Sequence, residues 1–415
     1  MIPIPEKRIT DFENMGFGIY VHWGLYSQLG KGEWIQNIAR IPRNEYMELT
    51  KTFTASEFNG RKLARAAKRA GAKYITLTTR HHDGFSLYDT KGLNKYDAPH
   101  SACGRDLIAD FVEGCNAEGI KPFFYHTTLD WYNDDFYNDF PAYLEYLRKS
   151  VEVLCTNYGK IGGFEFDGNW SRNDVDWEED KLYGLIRKHQ PECIIINNTG
   201  LSKRGELGNP EIDSVTFEQG RPTPMDREGM PKYVTAEMCQ TLNDHWGIGN
   251  GDFNYKSLPT LIETFCACRK VGANYLLNVG PAAEGNLLPL QEELIAGIGG
   301  WINAVGGSVY HGRPCEIKGS DKNFALLSDG KYYLYVHDLV IKGSSNVTVE
   351  VTATGIGPRK FDNFDKRIKS IKWVDNGEEL HFEQNFEDKS FTVDCTGYEY
   401  GTNYVVRVAE MELFD

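Results

Sequence analysis

The chain has 415 residues, 41% of them hydrophobic, and a formal net charge of −14. That is enough apolar matter for one large domain and a smaller one, and disorder is not the default expectation. The acidity argues against sequence-independent binding to nucleic acid or to an anionic membrane, both of which run on Lys and Arg.

The N-terminus, Met-Ile-Pro-Ile-Pro-Glu-Lys-Arg, carries no apolar signal-peptide core, and no apolar run is long enough to span a bilayer. A cytoplasmic protein is the expectation, with a trimmed secreted one as the alternative. Nine cysteines with no Cys-x-x-Cys spacing fit reduced thiols rather than a disulfide framework or a zinc ribbon. The sequons at Asn169 and Asn346 are read as chance matches.

From residue 18 to about 280, short β-rich runs alternate with amphipathic helical patterns. Eight strands are predicted: Gly18–Trp23, Lys73–Thr78, Lys121–Tyr125, Gly162–Asp167, Cys193–Asn197, Ser214–Glu218, Tyr233–Met238 and Asn274–Val279. Helical periodicity marks Ser56–Ala70, Asp106–Glu118, Phe140–Tyr158, Glu178–Lys188, Ser257–Val271 and Pro289–Asn303. Eight strands, most followed by a helix, give the (β/α)8 count, and no Gly-x-Gly-x-x-Gly follows a strand to favour a doubly wound sheet. The linkers between the fifth and seventh strands lack periodicity, so irregularity is expected there. Beyond His311-Gly-Arg-Pro314 the texture becomes alternating, as at Lys331–His337 and Asn346–Thr352, with Asp375-Asn-Gly377 as a turn. The reading is an α/β chain: a distorted (β/α)8 TIM-like barrel over residues 1–312, then a small antiparallel β-sandwich over 313–415.

The most informative segment is Gly-Gly-Phe-Glu-Phe-Asp-Gly-Asn-Trp at 162–170. An apolar run ends in Asp167 and Gly168 breaks it, which puts Asp167 at the C-terminal tip of a buried strand, where barrels keep catalytic side chains. Other strand-like runs also end in acids, histidines or aromatics, and aromatics make up 13% of the chain. A carbohydrate-cleaving barrel with Asp167 as nucleophile follows. The competing bland role for Asp167 is a turn or helix-cap aspartate.

Seven motifs in order resemble the α-L-fucosidases of glycoside hydrolase family 29. They are Phe17-Gly-Ile-Tyr-Val-His-Trp-Gly-Leu-Tyr-Ser27, Ala70-Gly-Ala-Lys-Tyr74, His81-His-Asp-Gly-Phe85, Leu129-Asp-Trp131, Phe166-Asp-Gly168, His245-Trp-Gly247 and Asn274-Tyr-Leu-Leu-Asn-Val-Gly-Pro281. The resemblance implies retaining hydrolysis of terminal α-L-fucose from an oligosaccharide or glycoconjugate, with no metal or organic cofactor. Retention needs two carboxyl groups, one attacking the anomeric carbon and one shuttling the proton.

Asp167 matches the family's nucleophile. For the acid/base, Glu218 at the tip of Ser214–Glu218 is preferred to Glu237, a carboxylate of a kind common near the family's active site. The resemblance further implies that His22, His81 and His82 bind sugar hydroxyls, that Glu33 accepts from them, that Trp34 walls the pocket and that Tyr125 lies near the nucleophile. Trp246 is a candidate for an apolar wall facing the fucose methyl. A metal site at the histidines is disfavoured because adjacent side chains on an extended segment point apart. Two positions depart from the family pattern. Glu165 stands where relatives carry Trp, on the same strand face as Asp167; it could bind substrate or compete for the acid role, and would raise the Asp167 pKa unless hydrogen bonds offset it. Thr199 stands where many relatives carry Arg, so that contact is missing or comes from Arg204 or Arg221. A glycosidase for a related sugar such as an α-L-galactoside, and a catalytically silent carbohydrate-binding protein, are the alternatives. Transglycosylation, the natural linkage and a homo-oligomer all stay open.

Overall fold

The computed structural model describes residues 1–198, 205–341 and 357–414. Eight parallel strands close into a barrel in chain order: β1 (Phe17–Val21), β2 (Tyr74–Arg80), β3 (Lys121–Thr127), β4 (Gly163–Asp167), β5 (Ile194–Asn198), β6 (Ser214–Glu218), β7 (Thr235–Thr241) and β8 (Ala273–Val279). Their residues are almost all buried, because barrel strands are covered on both faces. That is why the sequence shows near-continuous apolar runs here. All eight predicted strands and all six predicted helices are present, with ends moved by a few residues.

The helices start where side chains can satisfy their first free N–H groups. Asn59 accepts from the Lys62 N–H, Asp106 from Ala109, Asp139 from Ala142 and Ser257 from Thr260. The expected irregularity is real: β5 and β6 are paired through one register position, Ile196 opposite Ser214, and no described helix connects β5 to β6 or β6 to β7.

Small residues let aromatic rings fill the lower barrel. A Cβ on Gly18 would sit 2.4 Å from the Tyr74 ring, and one on Gly163 2.3 Å from the Phe123 ring. Phe12, Tyr74, Phe123, Ile194 and Leu276 are packed there with Tyr20 and Tyr125 above. The strand register then sets the height of each side chain. Thr127, Asp167 and Asn198 are level with one another on β3, β4 and β5, and Glu218 is level with Cys239 on β6 and β7.

The chain divides into two compact units, Met1–Lys256 with Asn274–Ala296, and Ser257–Ala273 with Gly297–Asp415. In the second unit the described strands form two antiparallel sheets of four and five strands, which share a core containing Tyr332, Leu334, Phe361, Ile371, Trp373 and Phe391. Strand Lys331–Val336 matches the predicted one. Gly377 closes the expected turn, with a φ of 73°. The predicted strand Asn346–Thr352 lies outside the described residues. All nine cysteines are free thiols, and no described helix is long and apolar enough to cross a membrane.

Candidate active site

A cavity opens at the C-terminal end of the barrel, lined by Tyr20, His22, Trp34, His81, His82, Tyr125, Glu165, Asp167, Trp170, Asn198, Glu218, Cys239 and Trp246.

Asp167 ends β4 with its side chain 17% exposed. Each carboxylate oxygen has a donor: Trp170 Nε1 to Oδ1 at 2.8 Å, and the Tyr125 hydroxyl to Oδ2 at 3.0 Å. Burial pushes its pKa up, and hydrogen bonds from Trp170, Tyr125, the Gly168 N–H and Asn198 pull it back. These donors work against burial, the largest cause of the upward shift. Gly168 makes the arrangement possible. Its φ of 121° turns the chain out of the strand, and a Cβ there would meet the Leu129 N at 2.5 Å. The short 3₁₀ turn Asn169–Ser171 then swings Trp170 back over Asp167.

Glu218 lies at the tip of β6, and the Asn198 amide donates to its Oε2 at 2.6 Å. The same amide also supports Asp167. One side chain therefore stands between the two carboxyl groups.

The histidines are held in defined tautomers. Asn278 Nδ2 donates to the Trp246 carbonyl at 2.7 Å, so its Oδ1 faces His22 and accepts from Nδ1–H at 2.8 Å. The Thr127 hydroxyl donates to the Leu129 carbonyl at 2.6 Å and so accepts from His82 Nδ1–H at 2.7 Å. Both imidazoles keep Nε2 as a bare acceptor, and His82 Nε2 lies 3.5 Å from Asp167 Oδ2. Burial lowers both pKa values to about 3, so the rings are neutral over the working range. Neutral acceptors in a cavity suit hydroxyl donors.

One expectation about the histidines is overturned. His81 and His82 do not point apart; both line the cavity, with ring centroids 4.3 Å apart. Strand β2 ends at Arg80, and residues 81–84 form a turn closed by the Gly84 N–H on the His81 carbonyl. The alternation rule for extended chain does not apply there.

Aromatic rings build the rest of the wall. Trp34 stacks against Trp170 with centroids 5.9 Å apart and meets the edge of Trp131 at 5.2 Å. Trp246 is 5.0 Å from His22 and 5.7 Å from Tyr20.

Two predicted contact residues do not line the cavity. Glu33 is buried, and its Oε2 accepts the Gly247 N–H at 2.8 Å, which commits it to holding the loop that carries Trp246. Glu237 is two residues below Cys239 on β7, fully buried, and bonded to the Tyr74 hydroxyl. Of the positions named for the missing arginine contact, Thr199 and Arg204 lie outside the described residues, and Arg221 is exposed and away from the cavity.

Sequence reasoning missed Tyr20, Trp170, Asn198 and Cys239. The signal was present for three of them. Tyr20 precedes His22 by two, Cys239 follows Glu237 by two, and Asn198 is the tip of its own strand, the position that singled out Asp167. Asn169, the sequon residue, is nearly buried and bonded to Thr128 and Glu179.

A model of the α-L-fucosidase family matches residues 5–307. The chain belongs to the α-L-fucosidase family. It is a glycoside hydrolase of that family by the same match. Among curated relatives, the tissue α-L-fucosidase of Bos taurus is 25% identical over 342 residues, 75% of this chain and 70% of that one. An α-L-fucosidase of Dictyostelium discoideum is 22% identical, covering 87% and 86%. Among solved structures, α-L-fucosidase isoenzyme 1 from Paenibacillus thiaminolyticus superposes with a TM-score of 0.85 at 29% identity, over 99% of both chains.

Proposed function

We propose that this member of the family is a retaining exo-α-L-fucosidase that releases terminal α-L-fucose from an oligosaccharide or glycoconjugate. The observation that carries the reading is the pairing at the cavity mouth. Asp167 has a hydrogen-bond donor on each oxygen, and one amide, Asn198, reaches both it and Glu218. Two carboxyl groups at strand tips around one cavity are what a retaining mechanism requires.

In the first step a protonated Glu218 gives its proton to the glycosidic oxygen while an Asp167 oxygen attacks the anomeric carbon. The C1–O bond to the aglycone breaks and an ester to Asp167 forms. In the second step Glu218 takes a proton from water, whose oxygen adds to C1 and releases Asp167. Donors on both Asp167 oxygens favour the ionised nucleophile the first step requires. The neutral Nε2 atoms of His22 and His82 accept ring hydroxyls, and the Trp34–Trp170 pair offers flat faces to the sugar's C–H groups. The Tyr, His and Trp rings wall much of the pocket, which suits a chain end rather than a chain interior. A related structure, the α-L-fucosidase of Bacteroides thetaiotaomicron, is a trapped covalent intermediate with 2-fluoro-fucosyl fluoride, and this supports the same route here.

The test is release of nitrophenol from an aryl α-L-fucoside by wild type and Asp167→Asn. Rapid wild-type turnover, α-configured first product by NMR, and a loss of roughly 10³-fold or more in the variant are expected. A β-configured first product, or a variant within tenfold of wild type, would sink the assignment.

A further inference from the structure

Glu165 is a carboxyl group lining the cavity to which the proposed mechanism gives no role. It shares the strand face of Asp167 and lies two residues deeper, roughly 7 Å along the strand. It is 3% exposed, it lines the cavity, and its Oε2 has no hydrogen-bond partner among the described residues. Beneath it the Oε1 of Glu237 is likewise without a partner, while its Oε2 is held by Tyr74. No described residue lining the cavity is Lys or Arg, so no cation neutralises this floor. Burial and the neighbouring carboxylates, Glu237 first, hold the Glu165 carboxyl well above the usual range, with the Tyr20 hydroxyl working the other way.

A buried polar atom left without a partner is costly, and an oxygen that also lines the cavity is open to a partner supplied by the ligand. The anomeric carbon is fixed against Asp167 at the mouth. The Nε2 atoms of His22 and His82, just past the ends of β1 and β2, take ring hydroxyls. The substituent on C5 remains for the floor, where Glu165 lies with the Tyr20 hydroxyl beside it. A methyl there would leave Oε2 unsatisfied; a primary alcohol would pair with it. L-Fucose and L-galactose differ at that carbon alone. We infer that Glu165 is a specificity-determining residue that bonds a hydroxymethyl group on C5, so that this site takes α-L-galactosides at least as well as α-L-fucosides. The inference rests on the reading of Asp167 and Glu218 as the catalytic pair.

The experiment compares kcat/KM for 4-nitrophenyl α-L-galactoside and 4-nitrophenyl α-L-fucoside in wild type, Glu165→Gln and Glu165→Leu. The galactoside/fucoside ratio cancels damage common to both reactions. A wild-type ratio of one or more is expected, falling at least tenfold in Glu165→Leu and less in Glu165→Gln, which keeps hydrogen-bonding atoms. Sites built to bond a substrate hydroxyl can reject the analogue lacking it by 10⁴–10⁵, so tenfold is a modest demand. A wild-type ratio below 0.1 that stays the same in both variants overturns the role of Glu165 and leaves the catalytic pair standing. A wild type inert on both sugars, with properly folded protein, overturns the catalytic reading and this inference with it. Should the variants fail to fold, inhibition of wild type by the free sugars decides: tighter L-galactose supports the inference, tighter L-fucose overturns it.

Discussion

Tyr125→Phe isolates the electrostatic support of the nucleophile. The ring is buried and its hydroxyl donates to Asp167 Oδ2 at 3.0 Å, so the substitution removes one donor and little volume. A hydrogen bond to a charged group contributes about 1.5–3 kcal/mol, and one pKa unit corresponds to about 1.4 kcal/mol. The Asp167 pKa, already raised by burial, should rise by a further one to two units, roughly. The reaction needs the ionised form, so the acidic limb of the kcat/KM profile on an aryl α-L-fucoside moves up by the same amount. A pH series from 4 to 9 reads it directly. Tyr20→Phe is the control: this ring also lines the cavity, but its hydroxyl faces Glu165 rather than Asp167, and the limb should not move. If Tyr125→Phe lowers the rate equally at every pH with the limb in place, the hydroxyl only shapes the pocket and the reasoning fails.

Asn198→Asp replaces a donor shared by two carboxyl groups with a third carboxyl; kcat/KM should fall by about 10²-fold or more through like-charge repulsion, while a fall explained by lost melting temperature alone would contradict this. Glu237 is fully buried and its pKa is raised from 4.5 to about 7, so its contribution favours the folded state fully below 4.5 and is lost as pH rises through about 7. Glu237→Gln should therefore flatten the decline of Tm between pH 5 and 8, and an unchanged slope in calorimetry would refute the buried-proton account. Gly163→Ala places a Cβ 2.3 Å from the Phe123 ring and 2.9 Å from the Ile194 carbonyl; overpacking of this kind costs about 1–3 kcal/mol, visible as a lower urea midpoint, and an unshifted midpoint would mean the barrel floor yields freely.

The barrel was legible because its strands are buried on both faces, which writes them as short apolar runs such as Ile194–Asn198, and because each tip changes chemistry abruptly, as at Asp167 and Glu218. Depth was not legible. Glu33 and Glu237 have the residue type and the local context of contact residues, yet each is engaged in an internal hydrogen bond, and no sequence pattern records which side of the floor a carboxylate occupies. The histidine pair was misread because period two was extended one residue past the end of β2. Trp170 needed the Gly168 turn, a backbone angle that spacing alone does not specify.

Four carboxyl groups, Asp167, Glu218, Glu165 and Glu237, line the cavity or are buried in the barrel, and the surroundings of Asp167 and Glu165 differ. Asp167 collects donors on both oxygens, which pulls its pKa back against burial. Glu165, two residues below on the same strand, has an oxygen with no partner among the described residues and the Glu237 carboxyl beneath it, so burial and repulsion push it towards the protonated form. Burial raises both pKa values, but four hydrogen-bonding groups pull Asp167 back towards the ionised form, whereas for Glu165 the Tyr20 hydroxyl works that way against burial and neighbouring carboxylates. Paired carboxyl groups whose pKa values are pushed apart can divide the chemistry between them, the more acidic one attacking C1 and the other hydrogen-bonding the sugar. Exchanging Glu165 for an apolar residue removes the second of these roles. It should also lower the Asp167 pKa slightly if any charge had resided on Glu165, so an acidic limb that moves down in Glu165→Leu would show that the floor was partly ionised, and one that stays in place would show it was neutral.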